Sequence, residues 1–90
     1  MDHTEAVNAI LIDALDNVVT LLGNLEPGSA ASWTGGAQIA QEAVSRGHKI
    51  AIRKIAAGEA VTKYGCTIGL ASVDIAPGEH VHLHNLGKRT

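Results

Sequence analysis

A small all-β domain is the fold this sequence predicts, and three observations carry the prediction. Short apolar runs recur at roughly ten-residue spacing, as in small barrels and sandwiches. A turn motif of the form apolar–x–x–Gly–x–x–apolar repeats: Ile55-Ala-Ala-Gly58-Glu-Ala-Val61 returns twenty residues later as Ile75-Ala-Pro-Gly78-Glu-His-Val81, and Leu25-Glu-Pro-Gly28 is a weaker copy. In His80-Val-His-Leu-His-Asn85 polar and apolar residues alternate strictly, the period of a half-buried strand.

Taken in order, residues 1–8 are polar and expected to fray, residues 9–86 form the domain, and 87–90 are a tail. Ala9 to Leu22 can be read two ways. Val7, Ile10, Leu11, Ala14 and Leu15 have helical spacing, whereas Ile10-Leu-Ile12 and Val18-Val-Thr-Leu-Leu22 are strand-like runs flanking the turn-forming Asp13–Asn17. The second reading, two strands around a tight turn, is preferred. Glu26-Pro27-Gly28-Ser29 suits a type II turn, with Pro second and Gly third. Ser32-Trp-Thr-Gly-Gly36 reads as a flexible link, and Ala37–Val44 as one or two helical turns at most. Further strands are expected at Lys49–Arg53, Thr67–Ala71 and Val81–Asn85. With so few copies at so short a period, the repeat does not describe a solenoid.

The chain has 90 residues, enough for one thin-cored domain. Its apolar share, 46%, is too high for a disordered chain. There is no Phe, one Trp and one Tyr, so the core must be built from Ala, Val, Ile and Leu. Such a core gains from a partner surface, and a homo-oligomer is one form this can take. The net charge of −2 and two aromatics argue against nucleic acid as a ligand. No apolar run approaches the ~20 residues of a membrane-spanning helix. The acidic start, Met1-Asp-His-Thr-Glu5, lacks the positive charge of a signal peptide. Cys66 is the lone cysteine and reads as a small apolar residue. Together these features suit the cytoplasm.

Gly78–Asn85 is the strongest candidate for chemistry. On a strand, His80, His82 and His84 share one face about 6.5–7 Å apart, with Val81 and Leu83 turned to the core. Neutral imidazoles so spaced can chelate a divalent metal, with further ligands from elsewhere. The same pattern also fits an edge strand with a wet polar face. Arg46-Gly-His48-Lys49 offers an acid–base pair or anion clamp, or else two solvated cations beside a turn. Lys63-Tyr64 can bind a carboxylate, or Tyr64 can simply pack its ring. Trp33 either docks on a partner or covers its own domain's apolar surface. No phosphate-cradling loop is present, and no Ser nucleophile has a recognisable elbow.

Gly47-His-Lys-Ile-Ala51, Ile55-Ala-Ala-Gly-Glu59, Lys63-Tyr-Gly65 with Ile68-Gly-Leu-Ala71, and Ile75–Asn85 occur in one order. Ile10–Ile12, Asp16–Val19 and Leu25–Gly28 precede them. The set resembles the SAF domain of the altronate/galactarate dehydratase family, over about residues 9–86. The resemblance implies a β-clip fold and a role in a lyase acting on hydroxy acids. In that family the domain is fused to a large catalytic domain or stands as a separate small subunit, and a chain of this length resembles the latter. The partner implied is a large catalytic lyase subunit. The implied reaction is dehydration of a sugar acid with a divalent metal, Fe2+, Mn2+ or Mg2+. A close relative, sulfolactate sulfo-lyase, eliminates sulfite to give pyruvate and has a short SAF alpha subunit.

Carried over residue by residue, His48, Lys49 and Asn85 are expected as catalytic groups, His82 and His84 as metal ligands, and Lys63 and Tyr64 as substrate-binding groups. Ser29–Val44 departs from the family pattern, with less β character than expected. The elimination needs a base for the proton α to the carboxylate, a stabiliser for the developing enediolate, and an acid for the leaving group. Either Lys49 or Lys63 can pair with the substrate carboxylate. A domain this small is not expected to enclose a pocket alone, which places the site at a subunit contact. A different class of function, a free-standing SAF module for ligand binding or assembly, is the alternative.

Overall fold

The computed structural model describes residues 7–87. Most of the two terminal segments, residues 1–6 and 88–90, lies outside them. The described residues form nine short strands and no helix: β1 (Ala9–Ile10), β2 (Val18–Leu21), β3 (Ala30–Trp33), β4 (Gly36–Ile39), β5 (Lys49–Ala51), β6 (Ala60–Lys63), β7 (Cys66–Ala71), β8 (His80–Val81) and β9 (Leu86–Gly87). All pairings are antiparallel. A central sheet has the order β1-β2-β5-β8, with the hairpin β3-β4 and the sheet β6-β7-β9 beside it. The all-β expectation holds.

An internal duplication organises the chain. Leu25, Gly28, Ala31 and Gly35 recur thirty residues later as Ile55, Gly58, Val61 and Gly65. Val44, Gly47 and Ile50 recur thirty-one residues later as Ile75, Gly78 and Val81. The extra residue sits in β7, where the register against β6 shifts between Val61 and Thr62. Leu25 bridges to Val44, and Ile55 to Ile75, one bridge per unit.

Four type II turns join the strands. Gly28, Gly47, Gly58 and Gly78 all have φ between 86° and 89°, the left-handed region that a type II turn demands at its third residue. The residue after each glycine donates its N–H back across the turn, to the carbonyls of Glu26, Ser45, Ala56 and Ala76 respectively. Glu59 and Glu79 add a second closure, accepting the N–H of Ala56 and Ala76 at 2.6 and 2.7 Å. The turn motif seen twice in the sequence, with a weak third copy, is therefore present four times. Val44-Ser-Arg-Gly47 is the disguised copy.

Each unit buries its own cluster. Val19, Leu21, Leu25, Ala31, Val44 and Ile50 form the first, with Trp33 packed against it. Val18, Ala51, Ile55, Val61, Ile75 and Val81 form the second. The alternation of β2 explains the split, since Val18 and Val19 point to opposite faces of the central sheet.

Asparagine amides pin the hairpins to this sheet. Asn8 bonds the Ala30 carbonyl and the Ser32 N–H, and Asn17 does the same to Ala60 and Thr62. Asn8, expected in a frayed terminus, is thus tied down.

Four expectations are corrected. Trp33 to Gly36 is a hairpin turn and not a flexible link, because Trp33 is anchored by the first cluster. Residues 37–44 are not helical; Gly36–Ile39 is a strand paired with β3. Ser29–Val44 accordingly holds a two-stranded hairpin, as its counterpart in the second unit does. The strand expected over Val81–Asn85 ends at Val81, and Leu83 is 79% exposed instead of core-facing.

Candidate functional site

Two strand starts bring the histidines together. Lys49 pairs with Val81 and Ile50 with His80, so the same register places His48 opposite His82. Their ring centroids are 4.6 Å apart. His80 and His82, two residues apart, project together with nearly parallel rings 5.4 Å apart. Nδ1 of His48 lies 2.8 Å from Nε2 of His80. One ring nitrogen from each of His48, His80 and His82 falls within 4.8 Å of the others. All three residues are half-buried.

The chain after β8 is held by Asn85. Its Oδ1 accepts the His82 N–H at 3.0 Å, and its Nδ2 donates to the His80 carbonyl at 2.8 Å. Asn85 is buried, and its amide is committed to these backbone groups. It acts on the site through the placement of His80 and His82. Glu42, which the sequence reading overlooked, accepts the His80 N–H at 3.0 Å.

Proton affinity follows from this crowding. Burial, then His48 and His84, hold the His80 imidazole below the usual histidine value, while Glu42 works the other way. Desolvation, then His48, Lys49 and His84, depress His82 in the same direction. Burial and then Lys63 lower Lys49. The environment thus favours neutral imidazoles, which is the ligand form.

Against the expected site residues, His48 and His82 lie in the converging trio. His84 lies outside it, its ring 5.3 Å from that of His80. His80 takes the third place. The sequence signal for His80 was its two-residue spacing from His82; for His48 only strand register could supply it. Lys49 starts β5 and is half-buried. Lys63 ends β6 with its Nζ 5.0 Å over the exposed Tyr64 ring. Tyr64 has φ 59°, with its N–H bonded to the buried Asp16 carboxylate. Cys66 is exposed.

The trio suits a divalent first-row ion in donor type. At metal–nitrogen distances near 2.0–2.1 Å, tetrahedral ligands lie about 3.3 Å apart. The three ring nitrogens lie within 4.8 Å of one another, so the rings would have to turn to reach that spacing. The described residues enclose no cavity, so the trio faces an open edge.

By fold and site, then, this is an all-β domain that presents imidazoles at the edge of its central sheet. The chain belongs to the altronate/galactarate dehydratase SAF domain family, whose model matches residues 7–89. It is 47% identical to altronate dehydratase of Escherichia coli (strain K12) over 76 residues, covering 84% of this chain and 15% of that protein. Altronate dehydratase of Bacillus subtilis (strain 168) is 40% identical over the same shares. The (2R)-sulfolactate sulfo-lyase subunit alpha of Chromohalobacter salexigens is 48% identical over 46 residues, 51% of this chain and 49% of that subunit. These relatives are lyases, and the chain spans a small part of the dehydratases.

Proposed function

We propose that this chain is the SAF component of a hydroxy-acid lyase of the sugar-acid dehydratase type, acting as a small subunit beside a large catalytic one. The observation that carries the reading is the convergence of His48, His80 and His82 on an open edge of the central sheet. An open edge cannot sequester a small acid from water, and a partner surface laid over it can. The similarity to altronate dehydratases extends over 84% of the chain, against 51% for the sulfo-lyase subunit, which favours water over sulfite as the leaving group.

His48, His80 and His82 would hold the divalent ion, Fe2+, Mn2+ or Mg2+, with imidazole ligands favouring Fe2+ among these. Bound there, the ion supplies Lewis-acid stabilisation of charge developing on substrate oxygens. Asn85 and Glu42 fix the backbone of His80 and His82. His84, beside the trio, is the imidazole assigned to proton delivery toward the leaving group. The base for the α-proton comes from the larger subunit.

The test is recovery of the tagged chain from its native cells and assay of what comes with it. Altronate, galactarate and sulfolactate are offered with each metal, and 2-keto acid and sulfite are scored. A larger lyase subunit with keto-acid formation from a sugar acid is the expected result. Sulfite release would replace the dehydratase reading by the sulfo-lyase one. A chain recovered without a lyase partner, forming no keto acid, would overturn both and leave a non-catalytic binding module.

A further inference from the structure

The last strand, β9, lies against β7 at close range. Leu70 pairs with Gly87 and Ala71 with Leu86. The Ser72 N–H extends the contact, donating to the Asn85 carbonyl at 3.0 Å. Leu86 packs its side chain on the second cluster. Gly69 makes this approach possible. A Cβ there would stand 2.7 Å from the Gly87 carbonyl oxygen and 2.7 Å from Cδ1 of Leu86, so something would have to shift. Gly69 is not among the glycines of positive φ, and its backbone does not itself call for glycine. A glycine inside a strand weakens it and marks a place where another backbone comes close.

The duplication supplies the comparison. Ala31 pairs with Gln38 in the first hairpin as Val61 pairs with Gly69 in the second. Ala31 and Val61 are equivalent, so Gln38 holds the place of Gly69. Among the described residues no third strand joins β3 and β4. The hairpin thus forms with a full side chain at this position, and the glycine goes with β9. What β9 carries is Asn85. The Asn85 main chain is fastened to the end of β7 through Ser72, and its amide to β8 through the His82 N–H and the His80 carbonyl. Between β8 and β9 the apex of the turn, Leu83 and His84, is exposed. Asn85 is therefore the link by which the second sheet fixes the two histidine backbones.

We propose that Gly69 and Leu86 are positioning residues of the histidine edge: Gly69 lets β9 seat on β7, Leu86 clamps it there, and the seated strand holds Asn85 where it aims His80 and His82 toward His48. Neither residue touches a ligand or the histidine rings; both act through Asn85. The value of this arrangement for a bound ion rests on the function proposed above. The coupling of β9 to the histidine backbone does not.

The experiment compares the full chain with Gly69→Ala and Leu86→Ala. NMR follows the His82 backbone N–H and the Asn85 side-chain amide, and calorimetry follows Co2+ affinity. Ala31→Gly, which weakens the first hairpin at a buried position, controls for lost stability. Gly69→Ala should shift both signals, speed their hydrogen exchange, and lower Co2+ affinity about tenfold with every imidazole in place. Leu86→Ala keeps the backbone pairing and should lower affinity about threefold; it also carries the test if Gly69→Ala fails to fold. Ala31→Gly should leave the two signals and the affinity as they are. Signals unmoved in both β9 variants overturn the proposal, and so does an equal shift in Ala31→Gly. Signals that move while Co2+ affinity stays constant overturn the positioning role. A wild-type chain that binds no Co2+, with the signals still moving in the β9 variants, removes the metal reading and leaves the coupling of β9 to the histidines standing.

Discussion

Nδ1 of His48 and Nε2 of His80 lie 2.8 Å apart across the β5–β8 pair. At that distance one nitrogen donates and the other accepts, so at least one of the two rings must be neutral at the shared edge. Two imidazolium rings would turn the bond into a repulsion. The fold therefore resists full protonation of its own site, with burial acting in the same direction.

Stability should depend on pH through this pair. His80 binds a proton less readily in the fold than in the unfolded chain. As pH falls through about 6.5, the unfolded chain takes up protons first, so stability declines and then levels off below the folded value. His82 contributes in the same sense. Urea unfolding between about pH 7.5 and 5.5 should show the decline, and His80→Gln should flatten it. An unchanged midpoint across that range would contradict the account.

Much of the fold was legible because its signals are local. A glycine three residues after an apolar anchor marks each of the four type II turns, and Pro27-Gly28 and Pro77-Gly78 were readable on that ground alone. The hairpin around Thr34-Gly35 was not, because Ala31, Ala37 and Gly36 have weak strand preference and are held in β3 and β4 by pairing and by Trp33. The histidine site was half legible. His80 and His82 are neighbours by strand spacing. The placement of His48 is a matter of register with a segment whose first histidine, His80, is 32 residues away. His84 was misplaced because Asn85 draws the chain into a turn after Val81.

Asp16 should be the costliest polar residue to lose. Its buried carboxylate accepts the N–H groups of Asp13, Tyr64 and Gly65 at 3.1, 3.0 and 2.8 Å, joining the first turn to the second hairpin. Those bonds also hold Tyr64 in its left-handed conformation. Asp16→Ala leaves three donors to find water and should cost about 3 kcal/mol. Chemical denaturation measures this; a loss below about 1 kcal/mol would mean that solvent replaces the carboxylate readily.

Two turn glycines with the same φ should differ sharply. Gly58 and Gly78 have φ 88° and 89°. A Cβ on Gly58 meets nothing, whereas one on Gly78 would overlap the Ile39 carbonyl oxygen. Gly58→Ala should therefore cost only the left-handed penalty, about 1–2 kcal/mol. Gly78→Ala carries that penalty plus displacement of β4, and should cost more by at least about 1 kcal/mol. Equal midpoint shifts in thermal melts of the two variants would show that the Ile39 contact yields without cost.

Metal titration separates the converging trio from the outlying histidine. If His48, His80 and His82 are the ligands, removing any one leaves two imidazoles, and Co2+ affinity of the full chain should fall at least about tenfold. His84 lies outside the trio, its ring 5.3 Å from that of His80, so His84→Ala should change affinity less than about threefold. Asn85→Ala tests the arrangement from behind. It removes the two bonds that aim His80 and His82, and should lower Co2+ affinity by roughly tenfold with all ligands intact, as loss of outer-shell support does elsewhere. Calorimetry and the visible absorption of bound Co2+ both read this out. A His84→Ala loss as large as that of His82→Ala would move the ligand set back along the chain, to the spacing the sequence alone suggests.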